Sequence, residues 1–148
     1  MEQTLAPAQA DEVLELDELW SFVYRRHNKQ WVWIALCRRT RQVVAFVIGD
    51  RSEKTCRLLW QAVPTGYRQA TLYSDFWEAY QAVLPEEHHE AVSKQSGQTN
   101  HVERWNNTLR QRVGRFVRKT LSFSKCEQMH LNCLSLFVHH YNLSRLTT

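Results

Sequence analysis

Val13-Leu-Glu-Leu-Asp-Glu-Leu-Trp20 alternates apolar and acidic residues with the period of a β-strand. The apolar stretch continues through Phe22, Val23 and Tyr24, and Arg25–Gln30 reads as a polar turn. Trp31-Val-Trp-Ile-Ala-Leu-Cys37 is a second strand, Arg38 to Gln42 a turn, and Val43-Val-Ala-Phe-Val-Ile48 a third strand. Three strands in such close succession predict an antiparallel meander.

The period then changes. Asp50 or Ser52 can cap a helix whose apolar face holds Leu58, Leu59 and Ala62, and Pro64-Thr-Gly66 stops it. Ala70-Thr-Leu-Tyr-Ser74 is a short strand ending at Asp75; Phe76 to Leu84 is a short helix closed by Pro85; His88 to Val92 reads as a fifth strand. After a polar loop at Ser93–Thr99, a long helix is expected from about Asn100 to Arg118. A last helix is expected from about Lys125 to Leu143, with Leu131, Leu134, Phe137, Val138 and Tyr141 as its apolar side. Strands first, then alternating helices and strands, predict an α/β domain with a ribonuclease-H-like mixed sheet of about five strands flanked by helices. Residues 1–11 read as an N-terminal tail or linker stub, and residues 12–148 as the domain.

The chain has 148 residues, the size of one domain. With 43% hydrophobic residues, six Trp, five Tyr and six Phe, it can build a core, which excludes a disordered chain. The net charge is +4, and its distribution matters more than its total. Arg104, Arg110, Arg112, Arg115, Arg118, Lys119 and Lys125 fall in a stretch with no acid, a composition that suits a polyanion or a solvated helix face. Cys37, Cys56, Cys126 and Cys133 lack CxxC spacing and read as free thiols of a reducing compartment. The paired histidines His88-His89 and His139-His140 cannot face one ligand point, so zinc is not indicated. No signal pattern and no run of membrane-spanning length is present, and the reading is cytoplasmic with no membrane partner.

Three acids stand out. Asp17 lies in a strand beside Glu15 and Glu18, although clustered acids disfavour a strand; Glu15 and Asp17 share one face and Glu18 the other. The alternative is an edge strand carrying protective charges. Asp75 lies where a strand gives way to a helix, a position suited to a site or to a helix cap. On the long helix, Val102, Trp105, Leu109, Val113 and Phe116 make the core stripe, while Glu103, Asn107, Arg110 and Gly114 make a second stripe beside it. Carboxylates on two strands and a helix suit two hard divalent cations, Mg²⁺ or Mn²⁺, serving an in-line phosphoryl displacement. Arg104, Arg110, Arg112, Arg115, Arg118 and Lys119 would hold nucleic-acid phosphates, and Trp77 or Trp105 could stack on an unpaired base, core packing being the alternative for Trp105.

Leu16-Asp-Glu-Leu-Trp-Ser-Phe22, Tyr73-Ser-Asp-Phe-Trp-Glu-Ala-Tyr80 and His101-Val-Glu-Arg-Trp-Asn-Asn-Thr-Leu-Arg-Gln-Arg112 together resemble the catalytic part of the IS-one family of bacterial insertion-sequence transposases, from about Glu12 to Leu143. The resemblance implies the fold of the Asp-Asp-Glu transposases, with Asp17, Asp75 and Glu103 as catalytic metal ligands and Arg110 near the DNA end. It implies cleavage and strand transfer of an insertion element at the nucleoid. It implies as partners DNA (element ends and target), further copies of the chain and an upstream-frame DNA-binding protein. Full-length members carry a zinc-binding and helix-turn-helix portion before the catalytic part; the chain has no CxxC pair before Asp17, so a downstream reading frame or catalytic fragment is expected. A non-catalytic DNA-binding or regulatory module and a ribonuclease-H-like nuclease remain as alternatives on the same fold.

Overall fold

In the computed structural model, described over residues 4–23, 25–113 and 127–146, five strands form one sheet in the order β3-β2-β1-β4-β5. The strands are β1 (Val13–Val23), β2 (Arg25–Cys37), β3 (Val43–Gly49), β4 (Thr71–Ser74) and β5 (His89–Ala91). β1 pairs antiparallel with β2, and β2 with β3, while β4 and β5 add in parallel. The fold is the expected α/β, ribonuclease-H-like one. β1 is therefore central, which removes the edge-strand reading of its acids.

Helices cover both faces of the sheet. α1 (Glu53–Ala62) and α2 (Glu78–Val83) pack on the face that presents Leu14, Leu16, Trp33 and Leu72. α3 (Asn100–Arg112) and α4 (Glu127–Leu146) pack on the other, against Leu19, Val32, Ile34 and Leu36. Period-2 alternation within β1 and β2 supplies both cores. α1 is capped as predicted: Ser52 Oγ accepts from the Thr55 amide, and Asp50 Oδ1 accepts from the Ser52 amide and from Thr55 Oγ1. Residues at the N-terminal end are tied to the body, since the Gln42 side chain bonds the Ala6 amide and the Thr4 carbonyl, and Tyr67 donates to the Ala6 carbonyl.

Four local expectations are corrected. Arg25–Gln30 is not a turn but the first part of β2, because β1 runs on to Val23 and pairs Ser21 with Gln30 and Phe22 with Lys29. Leu58 is exposed, and α1 buries Thr55, Cys56 and Leu59 instead. The helix expected to reach Arg118 ends at Arg112, where β-branched Val113 turns extended (φ −122°, ψ 100°) just before Gly114, a poor helix former. On α4 the buried stripe is His130, Leu134, Val138 and Asn142, and Leu131 is exposed. Two polar residues hold this stripe because they are paired: His130 Nε2 lies 2.7 Å from Ser21 Oγ, while Asn142 Oδ1 accepts from the Val43 amide and Nδ2 donates to the Val43 carbonyl.

Candidate active site

Pairing between β1 and β4 runs only from Val13↔Thr71 to Glu15↔Tyr73. Beyond that point β1 continues while β4 ends at Ser74, so the sheet opens a notch beside Asp17 and Glu18. Asp75 is the first residue past β4 and enters the notch. One carboxylate oxygen from each of Asp17, Glu18 and Asp75 lies within 4.8 Å of the others. The strand period places Asp17 and Glu18 on opposite faces, yet where β4 is missing both reach the same point. Glu18 is the site residue that strand periodicity hides, and the end of the β4 pairing is the signal that reveals it.

The cleft over this cluster has a volume of about 340 Å³, and Lys94, Glu103, Asn106, Asn107 and Arg110 also line it. The structure thus brings Asp17, Asp75, Glu103, Asn107 and Arg110 to one cleft. Glu103 stands apart from the three clustered acids, and its Oε1 accepts from Thr99 Oγ1 at 3.1 Å. Arg104 and Arg112 lie on another flank of α3, beside a second cavity. Arg115, Arg118, Lys119 and Gly114 fall outside the described residues. Trp105 is core, in edge contact with Tyr141, and Trp77 stacks on the Arg51 guanidinium at 4.1 Å.

Each acid is set by its neighbours. Asp75 Oδ1 accepts from the Trp77 amide at 2.9 Å, an Asx turn, while Trp77 occupies the cap position of α2. Asp17 Oδ2 accepts from Asn106 Nδ2 at 3.1 Å. Glu18 accepts from Tyr80 Oη at 2.5 Å and pairs with Arg51 at 2.9 Å. Glu15 plays a different part. Fully buried, it accepts from the His101 and Val102 amides and pairs with Arg38 Nε and His101 Nδ1. An anion at the amino end of α3 complements the helix dipole and fixes where Glu103 and Arg110 fall.

Electrostatics make the cluster uneasy as it stands. Burial above all, then the charge of Glu18 and that of Asp75, pushes Asp17 up to about 7. Burial also raises Glu18 above the ordinary carboxylate range, with Asp75 adding to it, against the bonds from Tyr80 and Arg51. Asn106 Oδ1 is buried in the cleft wall with no hydrogen-bond partner among the described residues. Crowded hard oxygen donors and an orphaned amide oxygen fit a hydrated divalent cation.

The sequence profile of a family described as IS1 transposase matches residues 12–143. The chain is similar to the insertion element iso-IS1n protein InsB of Shigella dysenteriae, with 35% identity over 131 residues, 87% of this chain and 95% of that protein. The insertion element IS1 protein InsB of Shigella flexneri is 33% identical over 129 residues, 86% and 95% of the two chains. The insertion element IS1 4 protein InsB of Escherichia coli (strain K12) is 33% identical over 129 residues, 86% and 75% of the two chains.

Proposed function

The chain belongs to the IS1 transposase family, and from that premise we propose that its acidic cleft cuts and joins DNA by metal-dependent phosphoryl transfer. The observation that carries the proposal is the meeting of Asp17 and Asp75 oxygens beneath a helix bearing Glu103 and Arg110. Asp17, Asp75 and Glu103 are assigned as the catalytic carboxylates and would hold two Mg²⁺ or Mn²⁺ ions, with the Glu18 carboxylate beside those of Asp17 and Asp75. When bound, such cations activate the attacking oxygen and stabilise the leaving oxygen of an in-line displacement.

The chain's own groups do the positioning. Asn106 orients the Asp17 carboxylate, and Arg51 and Tyr80 hold Glu18. Arg110 and Lys94, at the cleft wall, offer charge to the phosphate oxygens flanking the reacting one. In the first step a water oxygen attacks the phosphorus at the element end, the bond to the 3′-oxygen breaks, and a 3′-hydroxyl leaves. In the second step that hydroxyl attacks a target phosphodiester and displaces the target's 3′-oxygen. On this reading residues 12–148 form the catalytic unit, acting at the nucleoid on element ends and target, as a multimer and with an upstream-frame DNA-binding protein.

The test is incubation of the purified chain with labelled duplex DNA and Mg²⁺. Nicking and joining are expected, with activity falling to background in EDTA and in Asp75→Asn, whose melting is checked alongside. Cleavage undiminished in Asp75→Asn overturns the assignment. DNA binding without cleavage in any divalent metal favours the non-catalytic module, and cleavage confined to an RNA–DNA hybrid favours a ribonuclease.

A further inference from the structure

α3 has a second occupied flank. Opposite the acidic cleft, Arg104, Trp105 and Arg112 face Arg41 from the turn between β2 and β3, and Tyr141 and Arg145 from α4, around a cavity of about 290 Å³. We propose that this cavity seats a backbone phosphodiester of duplex DNA, a non-reacting one, and so anchors the duplex beside the acidic cleft. The inference rests on the reading that DNA is the substrate, and it adds a site that the catalytic residues do not supply.

Four guanidinium groups from three separate parts of the chain meet at a lining that contains no carboxylate among the described residues. His101 borders the cavity too, but its Nδ1 is already committed to Glu15. Such a gathering of like charges favours an anion in the cavity. A second observation points to an acceptor: the Trp105 indole Nε1 is buried and has no partner among the described residues. Indole nitrogen only donates, and buried donors are nearly always paired. A phosphate seated among these arginines brings an anion, with acceptor oxygens, against the indole that lines the cavity.

The frame is built to hold its shape. Arg41 sits in the left-handed backbone region at φ 64°, unusual for a residue other than Gly, Asn or Asp, and its carbonyl accepts from Tyr141 Oη at 2.7 Å. That bond ties the β2–β3 turn to α4 across the cavity. Arg41, Arg112 and Arg145 all bear on the Tyr141 phenol, in keeping with the geometry. The two flanks of α3 are about one helix thickness apart, about 10 Å. That corresponds to about three nucleotide steps along one strand, so the anchored phosphate and the reacting one can belong to the same duplex end.

The experiment uses the full chain in EDTA, so that it does not depend on metal or cleavage. Indole ¹⁵N–¹H spectra are recorded with a duplex of arbitrary sequence and, separately, with inorganic phosphate; Trp105→Phe identifies the resonance. The Trp105 signal should shift on adding duplex. In parallel, duplex affinity is measured against salt for wild type, for the Arg104→Gln/Arg112→Gln double variant and for Arg57→Gln, an exposed charge on α1 at the other face. Losing one phosphate contact lowers the log–log salt slope by about 0.9, which is about eightfold in affinity at 0.1 M salt. That loss is expected in the double variant and not in Arg57→Gln. Binding with an unchanged Trp105 signal, or equal slopes in wild type and double variant, overturns the inference. A shift with inorganic phosphate alone also overturns it, by assigning the cavity to a free anion. A wild-type chain that binds no DNA contradicts the DNA reading itself.

Discussion

Replacing Asp17 with Asn should stabilise the metal-free protein at pH 8 while destroying its function. Asp17 titrates at about 7 in the fold, against an ordinary 3.8. Between those values the folded state keeps a proton that the unfolded chain has lost, so the contribution of Asp17 to stability falls as pH rises from about 4 to about 7. At about 1.36 kcal/mol per pH unit, the interval amounts to about 4 kcal/mol. Asn carries no charge to desolvate, and its amide oxygen can still accept from Asn106. The assay is urea unfolding in EDTA at pH 5 and pH 8, for wild type and Asp17→Asn. The variant should gain over wild type by a few kcal/mol at pH 8 and by much less at pH 5. Comparing variant with wild type at each pH removes the opposing effect of His89, whose burial lowers its titration and makes stability fall as pH drops below about 6.5. Mg²⁺ should restore stability to wild type at pH 8 and do less for the variant. An Asp17→Asn protein that is less stable than wild type at pH 8 refutes the claim that burial, with the charges of Glu18 and Asp75 added, penalises a carboxylate there.

Other perturbations probe the frame. Glu15→Ala strips the amino end of α3 and the Arg38 guanidinium of a buried partner, and should cost about 3–5 kcal/mol by urea unfolding, with faster amide exchange at the start of α3. Asn142→Ala leaves the Val43 amide and carbonyl without their side-chain partner and should cost about 2–4 kcal/mol, whereas His139→Ala on the exposed side of α4 should leave the unfolding midpoint unchanged. Burial pushes the Cys56 thiol up to about 12, so peptide-level mass spectrometry should find it unalkylated at pH 8 in the folded protein and alkylated in denaturant.

What a sequence reveals, and what it hides, follows from which contacts are local. Alternation in Val13–Trp20 and the apolar runs after it are properties of neighbouring residues, and they yield β1, β2 and β3 in the right order. Asp75 is recognisable because a strand tip before a helix is a local signal. Glu18 is not, because its entry into the site depends on β4 stopping at Ser74, a fact of strand pairing. Glu15 is legible as a face-mate of Asp17, but its bonds to the start of α3 span long chain separations. Asn106 borders the core stripe of α3, and it joins the site through Asp17. The α4 stripe escapes hydropathy at His130 and Asn142, because hydropathy cannot see a buried polar group whose partner lies on β1 or β3.

The most direct measurement is anomalous diffraction from crystals soaked in Mn²⁺. The account predicts a peak within about 2 Å of oxygens from both Asp17 and Asp75, lost in Asp75→Asn. A fully occupied peak elsewhere, or none at this cleft at millimolar Mn²⁺, contradicts it.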